Sequence, residues 1–445
     1  MKKYSDITRK IATFALNLSY ESIPLEIIEY AKTLIIDQLG VSFAAYGTPI
    51  HHVYQKILDL SFGYGKAPVW GAETKSTLSG AVLHNTLLGT ALDLDDGHRR
   101  ALGHPGAAII PAAMTVAETR NKSGKALIEA IIAAYEVAIR VSMARDLDRL
   151  ENVYTGAWGA FGAGIASGKM IFSEIEPIQN ILGLAAMYGP TLPGSIPSPR
   201  RMVKEGIPWS AMVGVQAALF TEAGFEGPKC VFDYLSAYDP DKLTYELNHV
   251  FLIKDTYIKQ YSCCRWIHPI VLLCHRLKQE EDINVNDIKE IRVKTISRAL
   301  SFSNKIPQTI EDAQFSIPFC SALTLTKGES ALHLIDHKYF RDPEILRLSQ
   351  TVTLQGDEEL EVAFPGKVGT KVEIKTREKV FSKSLIAPIK GDAEKPFSRE
   401  EVKEKYLIYA KPVVGDIRAE NLIRFIENLE GASNVRLSKF MGLNK

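Results

Sequence analysis

Gly159-Ala160-Phe161-Gly162-Ala163-Gly164-Ile165-Ala166-Ser167-Gly168 is the stretch on which the fold turns. Such small side chains fill little space; what they offer is a helix surface that other helices can approach closely. Reading outward from it, apolar residues recur at helical spacing from Ser79 to Leu92, Ile109 to Glu118, Lys125 to Arg145 and Ala211 to Glu222. Upstream, Ser22-Ile23-Pro24 sets a helix start, and Ile27, Ile28, Ala31, Leu34 and Ile35 carry the helix to Gly40. The first part of the chain is therefore expected to be a tightly packed set of helices.

Near residue 285 the period changes. Ile288-Lys289-Glu290-Ile291-Arg292-Val293-Lys294-Thr295 mixes charge with β-branched residues, and Leu360, Val362 and Phe364, then Val372 and Ile374, alternate as strands do. With Pro365 to Thr370 as turn residues between those runs, 358–376 is predicted to be a hairpin. Ser398 and Glu401 then have capping-box spacing, and a last helix is expected around Glu420 to Leu429. The expected architecture is mainly α: a large all-helical domain of residues 1–265 plus 395–445, with an inserted smaller α+β lid domain of residues 266–394.

Composition narrows the function. Of 445 residues, 46% are apolar, enough for a large core, and 53 Lys and Arg against 52 Asp and Glu leave no field to hold a polyanion. Nucleic acid is not an expected partner. The stretch Ala126 to Ala144 has the length of a membrane span, but Glu129, Glu136 and Arg140 inside it would be costly in lipid, so no membrane association is expected. The N-terminal stretch, with Arg9 and Lys10, lacks the apolar core of a secretory signal, and five cysteines form no even disulfide framework; both point to the cytoplasm. Cys263-Cys264 also lacks the spacer by which two thiolates reach one zinc or cluster iron.

Three clusters could carry chemistry. In Leu92-Asp93-Leu94-Asp95-Asp96-Gly97-His98-Arg99-Arg100-Ala101-Leu102-Gly103-His104-Pro105-Gly106, carboxylates, imidazoles and guanidiniums crowd a loop between apolar helices. His104 is expected beside the free N–H groups that open the next helix, where an anion is welcome; the plain alternative has Asp93 and Asp96 capping helices and pairing with Arg99 or Arg100. In Lys259-Gln260-Tyr261-Ser262-Cys263-Cys264-Arg265-Trp266-Ile267-His268-Pro269, His268 again precedes an apolar helix, and Trp266 reads as core. Arg201, Lys204 and their neighbours, ahead of the Ala211 helix, suit carboxylate recognition or a solvated basic edge equally. Asp93, Asp95, Asp96, His98 and His104 also hold the ligand types for a metal-assisted hydrolase, though without fixed ligand spacing.

At these clusters the sequence resembles the MmgE/PrpD family, whose members include 2-methylcitrate dehydratase, cis-aconitate decarboxylase and iminodisuccinate epimerase. The matching pieces are Leu92 to Asp96 with His104-Pro105-Gly106, Gly159 to Ala163, Met202-Val203-Lys204 with Gly224-Phe225-Glu226-Gly227-Pro228, Lys259 to His268, and Ala313-Gln314-Phe315-Ser316-Ile317-Pro318-Phe319. The resemblance implies a site between a helical domain and a lid, a homodimer, no metal and no cofactor, and a small di- or tricarboxylic acid as substrate. It implies Asp93 as an orienting carboxylate, His104 and His268 as site imidazoles, and Lys204 as site cation, with Tyr154 as a further acid or base. Arg201, Lys259, Arg265, Thr155 and Ser316 would bind substrate. The implied activity is a 2-methylcitrate dehydratase-like hydro-lyase, then an epimerase, then a decarboxylase. Val153 and Phe319 stand where the decarboxylase is expected to carry a histidine and a tyrosine.

Overall fold

Bare backbone meeting bare backbone sets the packing of the helical part. The computed structural model describes residues 6–146, 153–190, 201–234 and 238–442. Its long helices in the first part of the chain are α1 (Ile7–Asn17), α2 (Leu25–Ala44), α3 (Pro49–Ser61), α4 (Leu78–Thr90), α5 (Pro105–Thr119), α6 (Gly124–Met143), α7 (Gly159–Ile171), α8 (Ile175–Tyr188) and α9 (Ile207–Glu222). The glycine-rich run is α7, and it lies against α4's neighbour α5 and, most intimately, against α9. A Cβ on Gly214 of α9 would sit 2.4 Å from the Ala160 carbonyl oxygen and 2.7 Å from the Gly164 nitrogen. The expected stop at Gly40 is not a stop: α2 runs on to Ala44, and Gly40 admits the backbone of Tyr406, whose Cα would lie 2.9 Å from an added Cβ.

The charges inside α6 have a structural use. Glu136 and Arg140 are buried as an ion pair, the Glu136 carboxylate accepts from the Leu252 and Ile253 N–H groups at 2.9 Å, and Arg140 donates to the Tyr245 and Val250 carbonyls. Both charges of this pair are thereby matched by hydrogen bonds. The clamp fixes the segment that leads into Thr256–Tyr257, which pairs antiparallel with Gly97–His98 and so ties two of the polar clusters together. Among the described residues no helix is long and apolar enough to cross a membrane.

A second core forms from residues 261 to 374. It holds α10 (His268–Glu280), α11 (Ile317–Lys327) and α12 (Pro343–Gln350) beside a four-stranded sheet of β1 (Glu290–Thr295), β2 (Val352–Gly356), β3 (Thr370–Lys375) and β4 (Val380–Leu385) in the order β2-β1-β3-β4. β1 and β2 are parallel and the other pairs antiparallel. Ile291, Val293, Val372 and Ile374 put the apolar face of the sheet into this core. The predicted hairpin at 358–376 is half wrong. Glu358–Ala363 is a helix, capped by Asp357 accepting from the Leu360 N–H, with Leu360 buried and Val362 89% exposed. Three acidic residues in the first turn and a side-chain cap outweigh an alternation of only three positions. The true hairpin joins β3 to β4 through Thr376 and Lys379. The chain then returns to the helical core with α13 (Arg399–Val414), opened by the Ser398/Glu401 capping box, and α14 (Asp416–Glu427).

Gly214→Ala should lower unfolding free energy by about 1–3 kcal/mol, because the methyl group has only backbone to displace. Gly431→Ala, which would meet nothing within 4 Å, should stay within about 0.5 kcal/mol of the parent. Urea titration of both variants checks the pair.

Candidate active site

Asp93 leaves the end of α4 in the left-handed conformation, φ 53°, and this turns the 93–104 loop inward rather than out to water. Asp93, Asp95 and Asp96 are all buried. Each has a different partner. Asp93 faces Lys259, whose Nζ donates to the Asp93 carbonyl at 2.7 Å and lies 3.1 Å from Oδ2. Asp96 accepts from the Tyr135 hydroxyl at 2.6 Å and the Gly106 N–H at 2.9 Å; burial foremost, and Asp95 beside it, push its carboxyl up to about 7 against the pull of Tyr135. Asp95 lies 3.2 Å from His104 Nδ1. Neither Asp93 nor Asp96 pairs with the loop arginines: Arg99, which lines the large cavity, meets Glu394, and Arg100 meets Asp255 at the surface.

His104 is the N-cap of α5, in a non-helical conformation, with its N–H donated to the Thr155 hydroxyl at 2.9 Å. Its Nδ1–H donates to the Asp96 carbonyl at 2.7 Å, so Nε2 is the nitrogen left to exchange a proton with a ligand. Burial and the Lys259 charge act to lower its pKa. Asp95 and then Glu205 more than offset them, and the imidazole is raised to about 9. Asp95 is the converse: burial would raise it, but His104, Lys259 and Lys204 hold it below the usual carboxylate range. His98, in the same loop, is driven by burial and by Arg100 and Arg99 down to about 3. The loop thus carries one charged and one neutral imidazole.

Two cavities meet at His104. One, of about 680 Å3, is lined by residues of the helical part, among them His104, Tyr154 and Glu205, and of the second core, among them Arg265, Arg298 and Phe315. The second has room for roughly one water, about 10 Å3, and is lined by Thr90, Asp93, His104, Lys204, Glu205, Ile207 and Phe315. Lys204 reaches it from a strained turn: Lys204, Glu205 and Gly206 have φ of 46°, 57° and 73° in succession. Its Nζ donates to Gln314 Oε1 at 2.7 Å, and Gln314 Nε2 donates to the Ala91 carbonyl at 3.2 Å. Arg265 is buried against Asp392 and over the Tyr257 ring, with its Nη1 making no hydrogen bond. Lys405 of α13 donates to the Lys259 carbonyl at 2.8 Å and pairs with buried Asp37 at 2.7 Å, so the returning C-terminal helix holds the site's floor.

The structure brings Asp93, His104 and Lys204 to one small cavity and His104, Tyr154 and Arg265 to the large one. Lys259 and Thr155 sit behind these residues: Lys259 supports Asp93, and Thr155 joins the His104 backbone to the Glu205 carboxylate, 3.3 Å from its hydroxyl. His268 and Ser316 are brought to neither cavity. His268 is the first residue inside α10 and turns its ring into the second core, Nε2–H donating to the Cys263 carbonyl at 3.2 Å and the ring 5.0 Å from Tyr261. Burial, then Arg265 and Lys259, push its pKa well down. Ser316 caps α11, accepting from the Phe319 N–H and donating to the Asn304 carbonyl. The Arg201 side chain lies outside the described residues. Phe319 is buried against Phe340, whereas Val153 does line the large cavity. Trp266, read as core, is half-buried and lines that cavity too.

Sequence reasoning gave Asp95 only a place among possible metal ligands and assigned no role to Glu205 or Gln314. Only Asp95 left a signal, as the middle member of three close acids; nothing local marks Gln314, which acts across 110 residues of chain. Among the described residues no three His, Cys, Asp or Glu side chains are grouped so as to hold a metal ion. The three loop carboxylates are instead turned to Lys259, His104 and Tyr135.

The MmgE/PrpD N-terminal domain matches residues 9–236 and the MmgE/PrpD C-terminal domain residues 261–431. The cis-aconitate decarboxylase of Aspergillus terreus is 24% identical over 96% of this chain and 92% of its own length. A cis-aconitate decarboxylase-like protein of Aspergillus oryzae is 21% identical over 97% of this chain and 96% of its own, and the cis-aconitate decarboxylase of Homo sapiens 20% identical over 95% and 92%.

The raised His104 pKa gives a measurable expectation. Its imidazolium contributes stability that is fully present below the ordinary histidine value and lost as pH rises through about 9. In an NMR titration His104 should therefore titrate near 9, and Asp95→Asn should bring it back to or below the ordinary 6.5, since burial and Lys259 then act unopposed by that partner. An unchanged titration in Asp95→Asn would remove the pair from the account.

Proposed function

The chain belongs to the MmgE/PrpD family, and from that premise we propose that it is a cofactor-independent lyase of a small di- or tricarboxylic acid, of the hydro-lyase type. Its relatives here are named as decarboxylases, which are lyases. The observation that carries the proposal is a charged imidazole and a carboxylate side by side on one cavity wall. His104 is held protonated by Asp95, and Glu205 is tied to the same Thr155 hydroxyl that receives the His104 N–H. A proton donor beside a carboxylate is what a dehydration needs.

In this reading Arg265, which lines the large cavity, holds a substrate carboxylate, and the Lys204 ammonium adds positive charge from behind the one-water cavity. Glu205 takes the proton from the carbon beside a carboxylate, and that C–H electron pair becomes the new double bond. The hydroxyl leaves the neighbouring carbon with its bonding pair and takes the His104 Nε2 proton, departing as water. The now protonated Glu205 and neutral His104 reset by exchange with solvent. Asp93, Lys259 and Tyr154 shape the pocket without bonds being made to them. Decarboxylation is the second reading, supported by the names of the relatives: His104 would then protonate the carbon from which carbon dioxide departs, and Glu205 would be idle.

His104→Gln and Glu205→Gln should each lower kcat by about 10²–10⁴-fold with folding intact, while Arg265→Lys should act mainly on KM. Activity should fall as pH rises through about 9, where the acid is lost. Proton NMR in deuterated water with 2-methylcitrate, citrate, malate and cis-aconitate separates the reactions. A new alkene signal supports the hydro-lyase, carbon dioxide release the decarboxylase, and exchange at one carbon without net change an epimerase; Glu205→Gln with full activity would exclude the dehydration as written.

A further inference from the structure

A carboxylate lyase needs anion-binding groups, but the large cavity also carries an aromatic patch that a carboxylate cannot use. Trp266, Phe302, Phe315 and Phe364 all line it. They form one aromatic patch: Trp266 stacks on Phe302 at 5.6 Å, Phe364 stands edge-on to Trp266 at 5.7 Å, and Phe315 edge-on to Phe302 at 5.5 Å. Val153 and Val368 line the same space. The negative faces of these rings repel carboxylates, and a carboxylate laid against them loses water without gaining a partner. At about 680 Å3 the cavity falls in the range of sites that enclose drug-sized molecules, roughly 300–1,000 Å3, well beyond the needs of a four- to six-carbon acid.

We propose that the substrate is an amphipathic acid, with its carboxylates near His104 and Arg265 and an aryl or branched apolar substituent of about ring size against the Trp266 patch. The proposal rests on the reading of the polar groups as a carboxylate site and adds what the other end of the molecule must be. Apolar surface buried on aromatic rings is favourable in proportion to its area, so the substituent sets specificity while the polar groups set chemistry. Trp266 and Phe364 are then the specificity-determining residues. They pack against the second core.

The test uses the full chain and a matched pair of unreactive probes, succinate and benzylsuccinate, which differ by one benzyl group, titrated by calorimetry. Benzylsuccinate should bind at least tenfold more tightly. Trp266→Gln and Phe364→Gln, each checked for an intact melting transition, should reduce that preference to near unity and leave succinate affinity unchanged; having two variants keeps the test alive if one fails to fold. Equal binding of the two probes overturns the proposal and leaves the carboxylate reading standing, as does a preference that survives both substitutions. If neither probe binds, and the dicarboxylate panel in deuterated water also shows no exchange, the carboxylate reading itself falls and takes this inference with it.

Discussion

Ionised side chains buried together stay buried only if they satisfy one another. Asp93, Asp95, Lys204 and Lys259 lie almost wholly out of solvent, with His104 close to it. An isolated charge in such a place would shift its pKa and neutralise. Here the attraction between opposite charges wins over burial for His104 and Asp95, and Lys259 is likewise kept charged by Asp93 and Asp95 despite its burial. Removing one partner therefore does more than delete a contact; it leaves the others as unpaired buried charges.

That balance explains several features that make little sense alone. The left-handed turn at Asp93 and the run of positive φ at Lys204, Glu205 and Gly206 each cost backbone energy, and each aims a charged side chain at the cluster. The Glu136–Arg140 clamp, the Thr256–Tyr257 ladder and the Lys405 contact bring the 93–104 loop and the Lys259 segment into register from three directions. Gln314 adds a tie from the second core, holding the Lys204 ammonium and the Ala91 carbonyl with one amide. The position of the second core is therefore felt directly at the site's cation.

The two His-Pro pairs show how a shared pattern yields different outcomes. In the sequence each places a histidine just ahead of a helix. His104 is outside its helix as the N-cap, with φ −120° and ψ 78°, while His268 is already helical, with φ −54° and ψ −45°. One residue of register rotates the side chain by a fraction of a turn. That sends the first imidazole to the cavities and the second into a core.

The helices, the capping box at Ser398, the close approach along Gly159 to Gly168 and the concentration of acid and base groups in the 93–104 loop were determined by the sequence itself, because periodicity, caps and small side chains act over a few residues. The short helix at 358–363 is also local, set by its Asp357 cap and acidic first turn, but an alternation of three positions points the other way and hides it. The partnership of Asp95 with His104, the tie from Lys204 to Gln314 and the aromatic patch around Trp266 were not so determined. Those depend on which distant segments meet, and electrostatics and cavity shape are properties of that meeting; no short stretch of chain contains them.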